Sequence, residues 1–353
     1  MKIGIITFQE TKNFGACLQA LALYKKVEEL GHQPELLDYR NDCIYRNEIR
    51  SILPYNSLKS FARWFIYGHK LYSKYKTLQT EMKNYCRFSK KLNKSNISTI
   101  ADDYDRFLVG SDQVWALNLT DYDYTYMLDF VIDEKKKYSF ASSIGNEDIF
   151  RQDVHAHSLI KDFNMLSVRE SEAVTAIKDC CAKDVEWVCD PTMLYDAHEW
   201  DAIVNPTRHF ENYVFIYFTD PQNKIFKDAL AYANKHNLKV LFDSPLRCNI
   251  TGVQAINPKS MGEFIGLIKY ANAVFTASYH GMLFSLYYGK PFMFYNRNQK
   301  SRMDSLSRVV GVEKNSGEFY EGENIPDINY AVVSDKISDF RKRSLSVLKS
   351  TIK

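Results

Sequence analysis

Apolar runs and amphipathic stretches alternate along this chain from its first residues. Residues 2–8, KIGIITF, are a nearly unbroken apolar run that predicts a buried strand. A polar loop at 9–15 ends in Gly15. Residues 16–30 then place Leu18, Leu21, Ala22, Lys25 and Val27 in one helical register, and Gly31 stops the helix. Residues 35–39 return to a strand pattern, and strand, helix and strand in this order predict a parallel sheet. Strands are expected again at 106–110, 137–142, 163–168 and 185–188, and the turn signal Asp190-Pro191-Thr192 closes this half. The alternation then restarts with a strand at 213–218, a helix at 223–237 and a strand at 239–242. A helix at 260–270 follows, with Ser260 placed as its cap and Glu263 three residues on. A strand at 273–277, an amphipathic run at 282–288, a strand at 291–295 and a terminal helix at 334–352 complete the pattern.

The expected fold class is therefore α/β, with two successive units whose strand-end loops face a cleft, a preferred place for small-molecule sites. At 353 residues the chain is long for one core. The expected boundaries are 1–195 for the first domain, with a helical insert at about 50–95, then 205–333 for the second and 334–353 for the terminal helix. Hydrophobic content of 45% and charged content of 25% are those of a globular protein. No apolar run reaches membrane-spanning length, and the first residues are too soon interrupted for a signal peptide. The seven cysteines form no CxxC pair and are odd in number, so reduced thiols and a cytoplasmic location are expected.

Net charge is only +3, but it is unevenly spread. Between Arg50 and Lys94 basic residues recur and Glu81 is the single acid, with Phe61, Trp64, Phe65, Tyr67 and Tyr72 interleaved. Such a helical region can rest on anionic lipid headgroups at the inner face of a membrane, or hold an anionic acceptor. It can equally be a solvated basic face of a helical subdomain. No nucleic-acid-binding motif accompanies it.

Five short segments could carry chemistry. In Ser278-Tyr279-His280-Gly281, between the strand at 273–277 and the helix after it, His280 is a titratable group beside the first N–H groups of a helix, where an anion is favoured. A lone histidine can also be structural. In Thr11-Lys12-Asn13-Phe14-Gly15 the helix start could hold a phosphate or a sugar hydroxyl, or the segment is a plain turn. In Gly110-Ser111-Asp112-Gln113-Val114-Trp115, Asp112 can act as a general base and Trp115 as a sugar platform. The alternative is an Asp cap with a core Trp. Arg169, in Ser167-Val168-Arg169-Glu170, can grip a carboxylate or phosphate with its fork, or form a local ion pair. Arg302, in Ser301-Arg302-Met303, is a second candidate anion contact or a surface arginine. Neither a dinucleotide fingerprint nor a Walker loop is present, and no metal-like spacing occurs.

Taken in order, Asn13-Phe14-Gly15-Ala16 with Leu18-Gln19-Ala20, Gly110 to Trp115, Ser139 to Gly145, Ser167 to Glu170, Asp190-Pro191-Thr192 and Ser278 to Gly281 resemble the polysaccharide pyruvyl transferase family over roughly residues 3 to 310. The resemblance implies two Rossmann-like domains similar to the GT-B glycosyltransferases. It implies transfer of a pyruvyl group from phosphoenolpyruvate to a saccharide, forming a ketal in cell-surface or exopolysaccharide biosynthesis. With no metal-like cluster in the sequence, no cofactor or metal is expected. The family's motif histidine falls on His280 and its arginine on Arg169. Position 278 is Ser where some members carry Arg, which removes one anion contact. On this reading His280 and Asp112 are catalytic. Arg169, Ser278, Gly281 and Arg302 hold the donor, and Asn13 and Trp115 hold the acceptor. A nucleotide-sugar glycosyltransferase on the same kind of fold, or a non-catalytic carbohydrate-binding assembly protein, are the alternatives.

Overall fold

The computed structural model describes every residue except 56, 219–222, 297–301 and 323. The chain divides into two compact units. The first comprises Met1–Ser51, Gln79–Leu194 and Asp339–Lys353, and the second Ile52–Leu78 and Tyr195–Ser338.

In the first unit, β1 (Lys2–Ile6), β2 (Gln33–Tyr39), β3 (Phe88–Leu92), β4 (Arg106–Val109) and β5 (Lys137–Ser139) form a parallel sheet in the order β3-β2-β1-β4-β5. β6 (Ser167–Val168) and β7 (Glu186–Trp187) make a small parallel pair beyond it. The centre of the main sheet is apolar on both faces, as parallel sheets covered by helices require: Ile3, Ile5, Ile6, Phe107 and Val109 are all buried. The expected strand at 163–168 shrinks to Ser167–Val168. Side-chain hydroxyls interrupt the ladder there: Ser139 Oγ donates to Ser167 O at 3.1 Å and Ser167 Oγ donates to Ser139 O at 2.9 Å, while backbone bonds from Ser139 N to Met165 O and from Ser142 N to Ser167 O flank them.

The second unit repeats the plan. β8 (Tyr213–Tyr217), β9 (Lys239–Asp243), β10 (Val253–Ile256), β11 (Ala273–Thr276) and β12 (Phe292–Phe294) are parallel in the order β10-β9-β8-β11-β12. Both sheets thus use the order third, second, first, fourth, fifth. The chain direction across the sheet reverses between β1 and β4 and again between β8 and β11. In open α/β sheets such switch points, at the carboxyl ends of the strands, are where ligands bind. The helix Met261–Lys269 starts at the foreseen cap, with Ser260 and Glu263 forming a reciprocal capping box.

The basic stretch departs from expectation in two ways. Its end is not helical, because Phe88–Leu92 pairs with β2 as an edge strand. Ile52–Leu78 groups with the second unit and not the first. A nearly buried ion pair ties it there, Lys74 Nζ to Asp243 Oδ2 at 3.2 Å, and Lys70 Nζ donates to Pro245 O at 3.1 Å. Burial pushes the Asp243 carboxyl up, and Lys74 opposes that shift. The last turns of the helix Tyr330–Thr351 belong to the first unit, where Arg341 donates to Met193 O and Ser344 Oγ accepts from Cys189 N.

All seven cysteines are free thiols, and burial pushes Cys181 up to about 11 and Cys189 up to about 12. Among the described residues no helix is long and apolar enough to cross a membrane.

Candidate functional site

The switch point of the first unit is filled by a buried polar network. Gln19, on the inner face of the helix Phe14–Glu29, donates to Thr7 Oγ1 at 2.9 Å and accepts from Ser111 N at 2.9 Å. Thr7 Oγ1 donates to Ser111 O at 3.0 Å, so the loops after β1 and β4 are tied together. Gly110 makes this possible. Its φ is +118°, and a Cβ there would lie 2.2 Å from Phe140 O. The network continues from Ser111 Oγ to Asp190 Oδ2 at 3.3 Å, and Asp190 Oδ1 accepts from Thr192 N and Thr192 Oγ1.

Arg169 closes the network, and its role is not the one expected. Its Nη1 donates to Asp190 at 2.8 Å, its Nη2 to Asp112 at 3.0 Å and its Nε to Glu170 at 3.1 Å. Its side chain is wholly buried. The expectation of a donor clamp meets an engaged fork: the guanidinium bonds three carboxylates, and an incoming anion would have to displace them. Arg169 is an internal counter-ion that fixes the loops after β4 and β6. Asp112 has φ +70° and is the most solvent-accessible of the three acids, with its side chain 16% exposed.

The acceptor residues are also revised. Trp115 is fully buried, its Nε1 donates to Tyr126 O at 2.8 Å and its ring meets Phe163 edge-on. A sugar platform must present a ring face to solvent, so Trp115 is a core residue. Asn13 is exposed, and its Oδ1 caps the helix Phe14–Glu29 by accepting from Gly15 N and Ala16 N. Its amide nitrogen is the part left for a hydroxyl.

In the second unit the structure brings Ser278, His280, Gly281 and Arg302 to one end of β11. The helix Tyr279–Tyr287 begins three residues earlier than its amphipathic pattern indicates. Ser278 is the cap, its Oγ accepting from Gly281 N at 3.5 Å. His280 therefore lies in the first helical turn, 6% exposed, rather than on the crest of a loop. Gly281 is a packing residue. A Cβ there would stand 2.3 Å from Thr276 Oγ1 and 3.1 Å from the Tyr217 ring, so the helix start can seat against β8 and β11 only without one. Thr276 Oγ1 itself donates to Tyr217 O at 2.6 Å and accepts from Ser278 N at 3.0 Å. Tyr279 sits between the two basic groups. Its ring is edge-on to His280 with centroids 5.6 Å apart, and the Arg302 guanidinium lies 5.6 Å from its centroid. Asn296 and Asp304, hydrogen-bonded at 2.7 Å, stand beside Arg302 at the start of the helix Arg302–Val310. Ser301 lies outside the described residues.

This turn combines a helix N-terminus, an imidazole and a guanidinium held over an aromatic ring. It can receive a small anion and move a proton beside it. Sequence reasoning missed Tyr279 as the link between His280 and Arg302. It also missed Gln19, Thr7 and Ser111 as the bracing of the first unit. A glutamine on the apolar side of a helix was the available signal for that network.

A model of the polysaccharide pyruvyl transferase family matches residues 13–299, which is most of the chain. The chain belongs to the polysaccharide pyruvyl transferase family. This makes it a member of an enzyme family of transferases in polysaccharide biosynthesis. No curated protein matches the sequence. Among solved structures, S. aureus MnaA in complex with UDP is similar at 11% identity and a TM-score of 0.52, covering 99% of this chain and 91% of that one. The UDP-GlcNAc 2-epimerase of Neisseria meningitidis, bound to UDP-GlcNAc, is similar at 8% identity and a TM-score of 0.51, covering 98% and 94%. At such identities the likeness shows the fold alone, two Rossmann-like domains of the GT-B type. A shared scaffold of this kind does not fix a chemistry.

Proposed function

We propose that this family member transfers a pyruvyl group from phosphoenolpyruvate to a saccharide, forming a pyruvate ketal. The observation that carries the reading is the turn after β11, where His280 in a helix's first turn neighbours Tyr279, over which Arg302 is held. Phosphoenolpyruvate bears a carboxylate and a phosphate on three carbons. The helix N–H groups and Arg302 supply fixed positive character for one or both.

The chemistry needs a proton delivered to the methylene carbon. His280 donates it, and the central carbon becomes electron-poor. A sugar hydroxyl attacks that carbon and loses its proton. The bond from the central carbon to the phosphate oxygen breaks, phosphate leaves with one proton, and a second hydroxyl loses its proton as it closes the ketal. One proton gained by carbon and one by phosphate balance the two lost by the hydroxyls. An imidazole, which can give a proton at one nitrogen and take one back, suits this traffic. Within the first unit, Asp112, oriented by Arg169 as a positioning residue, is the candidate base, and Asn13 has its amide nitrogen for a hydroxyl.

The test is to incubate the pure protein with phosphoenolpyruvate and a panel of free and lipid-linked glycans. Acceptor-dependent phosphate release and a ketal adduct by mass spectrometry are expected. His280→Gln should lower turnover by about 10²-fold or more, the usual scale for a lost acid–base group. Turnover of a nucleotide sugar with no use of phosphoenolpyruvate would overturn the proposal in favour of glycosyl transfer.

A further inference from the structure

The helical segment that opens the second unit turns its large apolar side chains outward. Leu58 is 90% exposed, Phe65 75%, Ile66 60% and Phe61 49%, and Ala62 between them is exposed as well. In the sequence they fall at i, i+3, i+4, i+7 and i+8, the stripe that a globular helix normally buries. Here the stripe runs along the helices Leu58–Arg63 and Trp64–Gly68 and faces outward.

The segment is a formed structure. Ser57 caps its first helix through Ser60 N, and Ser60 Oγ donates to Tyr55 O at 2.7 Å. Gly68 lets the backbone approach Ile52 O, where a Cβ would lie at 2.4 Å. The Lys74–Asp243 pair and the bond from Lys70 to Pro245 O fasten the following helix to β9 and the loop after it. The apolar stripe is thus presented on a braced support.

The charge carried by this segment has one sign. No Asp or Glu occurs between Glu48 and Glu81, whereas Lys59, Lys70 and Lys76 are exposed within that interval. Trp64, Tyr67 and Tyr72, with amphipathic rings, are half-buried at the base of the stripe. We infer that this face docks on a bilayer carrying anionic lipid. Phe61, Phe65, Ile66 and Leu58 enter the acyl boundary, and Lys59 and Lys76 meet the headgroups. A second copy of the chain fits less well, because a two-fold contact would set these lysines against their own equivalents across an apolar interface.

The experiment is vesicle co-sedimentation of the full chain, with phosphatidylcholine vesicles and with vesicles containing phosphatidylglycerol. Binding to the anionic vesicles that weakens with salt is expected. Leu58→Ser and Phe65→Ser should each lower the partition coefficient about tenfold, and Lys59→Glu should lower it about thirtyfold, the worth of a surface cation doubled by charge reversal. The three positions are at the surface, and unchanged circular dichroism checks that each variant is folded. Absence of vesicle binding, or equal binding by a Leu58→Ser/Phe65→Ser double variant, overturns the inference. So does a concentration-dependent dimer that Leu58→Ser abolishes, which would assign the face to a second copy. None of these readouts depends on the pyruvyl-transfer reading.

Discussion

Replacing Arg169 with methionine removes the guanidinium that Asp112, Glu170 and Asp190 share, while keeping much of its volume. The Asp190 pair is entirely buried on both sides, and the Glu170 and Asp112 side chains are 9% and 16% exposed. Removing one partner of a buried pair costs about 3–5 kcal/mol. Each orphaned carboxylate can limit its own penalty by taking up a proton, which at neutral pH costs about 1.4 kcal/mol per pH unit over about three units, or about 4 kcal/mol. Asp190 keeps the two donations from Thr192 and the one from Ser111, which offset part of its loss. The net expectation is a destabilisation of about 5 kcal/mol, a large share of the stability of an ordinary domain. The assay is urea unfolding combined with hydrogen exchange read in peptides of each unit separately, with loss of protection confined to the first unit. The deficit should shrink as pH is lowered toward the carboxylate range, because the orphaned acids then bind protons. A variant within about 1 kcal/mol of the parent, yet unable to bind phosphoenolpyruvate, would refute the internal counter-ion and restore Arg169 as a donor clamp.

Trp115→Ala should cost about 3–5 kcal/mol in thermal or urea unfolding, because the ring is fully buried. The folded fraction should bind acceptor normally, and a selective loss of acceptor affinity at unchanged stability would contradict this. Gly281→Ala should cost about 1–3 kcal/mol, because the new methyl would stand 2.3 Å from Thr276 Oγ1. Adding Thr276→Ala should recover part of that cost in a double-mutant cycle, and strict additivity would show that the clash is relieved elsewhere. Asp123 provides a pH test in the first unit. Burial alone would raise its carboxyl, but hydrogen bonds from Tyr39, Asn41 and Thr125 outweigh this and hold it below the ordinary 3.8. Its contribution is therefore complete above that value and is lost as pH falls through the lowered one. Asp123→Asn should flatten this acid limb of the stability profile, and an unchanged limb would place the dependence on other groups.

The central strands and the helix at 261–269 were legible in the sequence because local cues alone suffice there. A strand buried on both faces must be a run of apolar residues, and Ser260 with Glu263 satisfies the free N–H groups of its own helix start. The edge strands β3 and β10 were missed because an edge needs no such run. FSKKL and VQAI are half-exposed and polar enough to read as helix or loop. The helix at Tyr279 begins earlier than expected because Ser278 caps it, and Tyr279, His280 and Gly281 are then buried by packing rather than by periodicity.

The composition of the switch-point loops was decided by sequence. Their glycines, hydroxyls, carboxylates and the one imidazole stand there in a family-specific order, and from it the pyruvyl transferase family followed, as the α/β class followed from the alternation of strand and helix patterns. Which of those residues face a ligand was decided only by tertiary structure. A guanidinium reads the same in sequence whether it awaits an anion or is already surrounded by three, and an indole reads the same on a surface or in a core. The outcome for Arg169 and Trp115 depends on loops from β1, β4 and β6 and the segment around Asp190, which are far apart in sequence. Long-range packing brings them within hydrogen-bonding distance, and no local pattern records it.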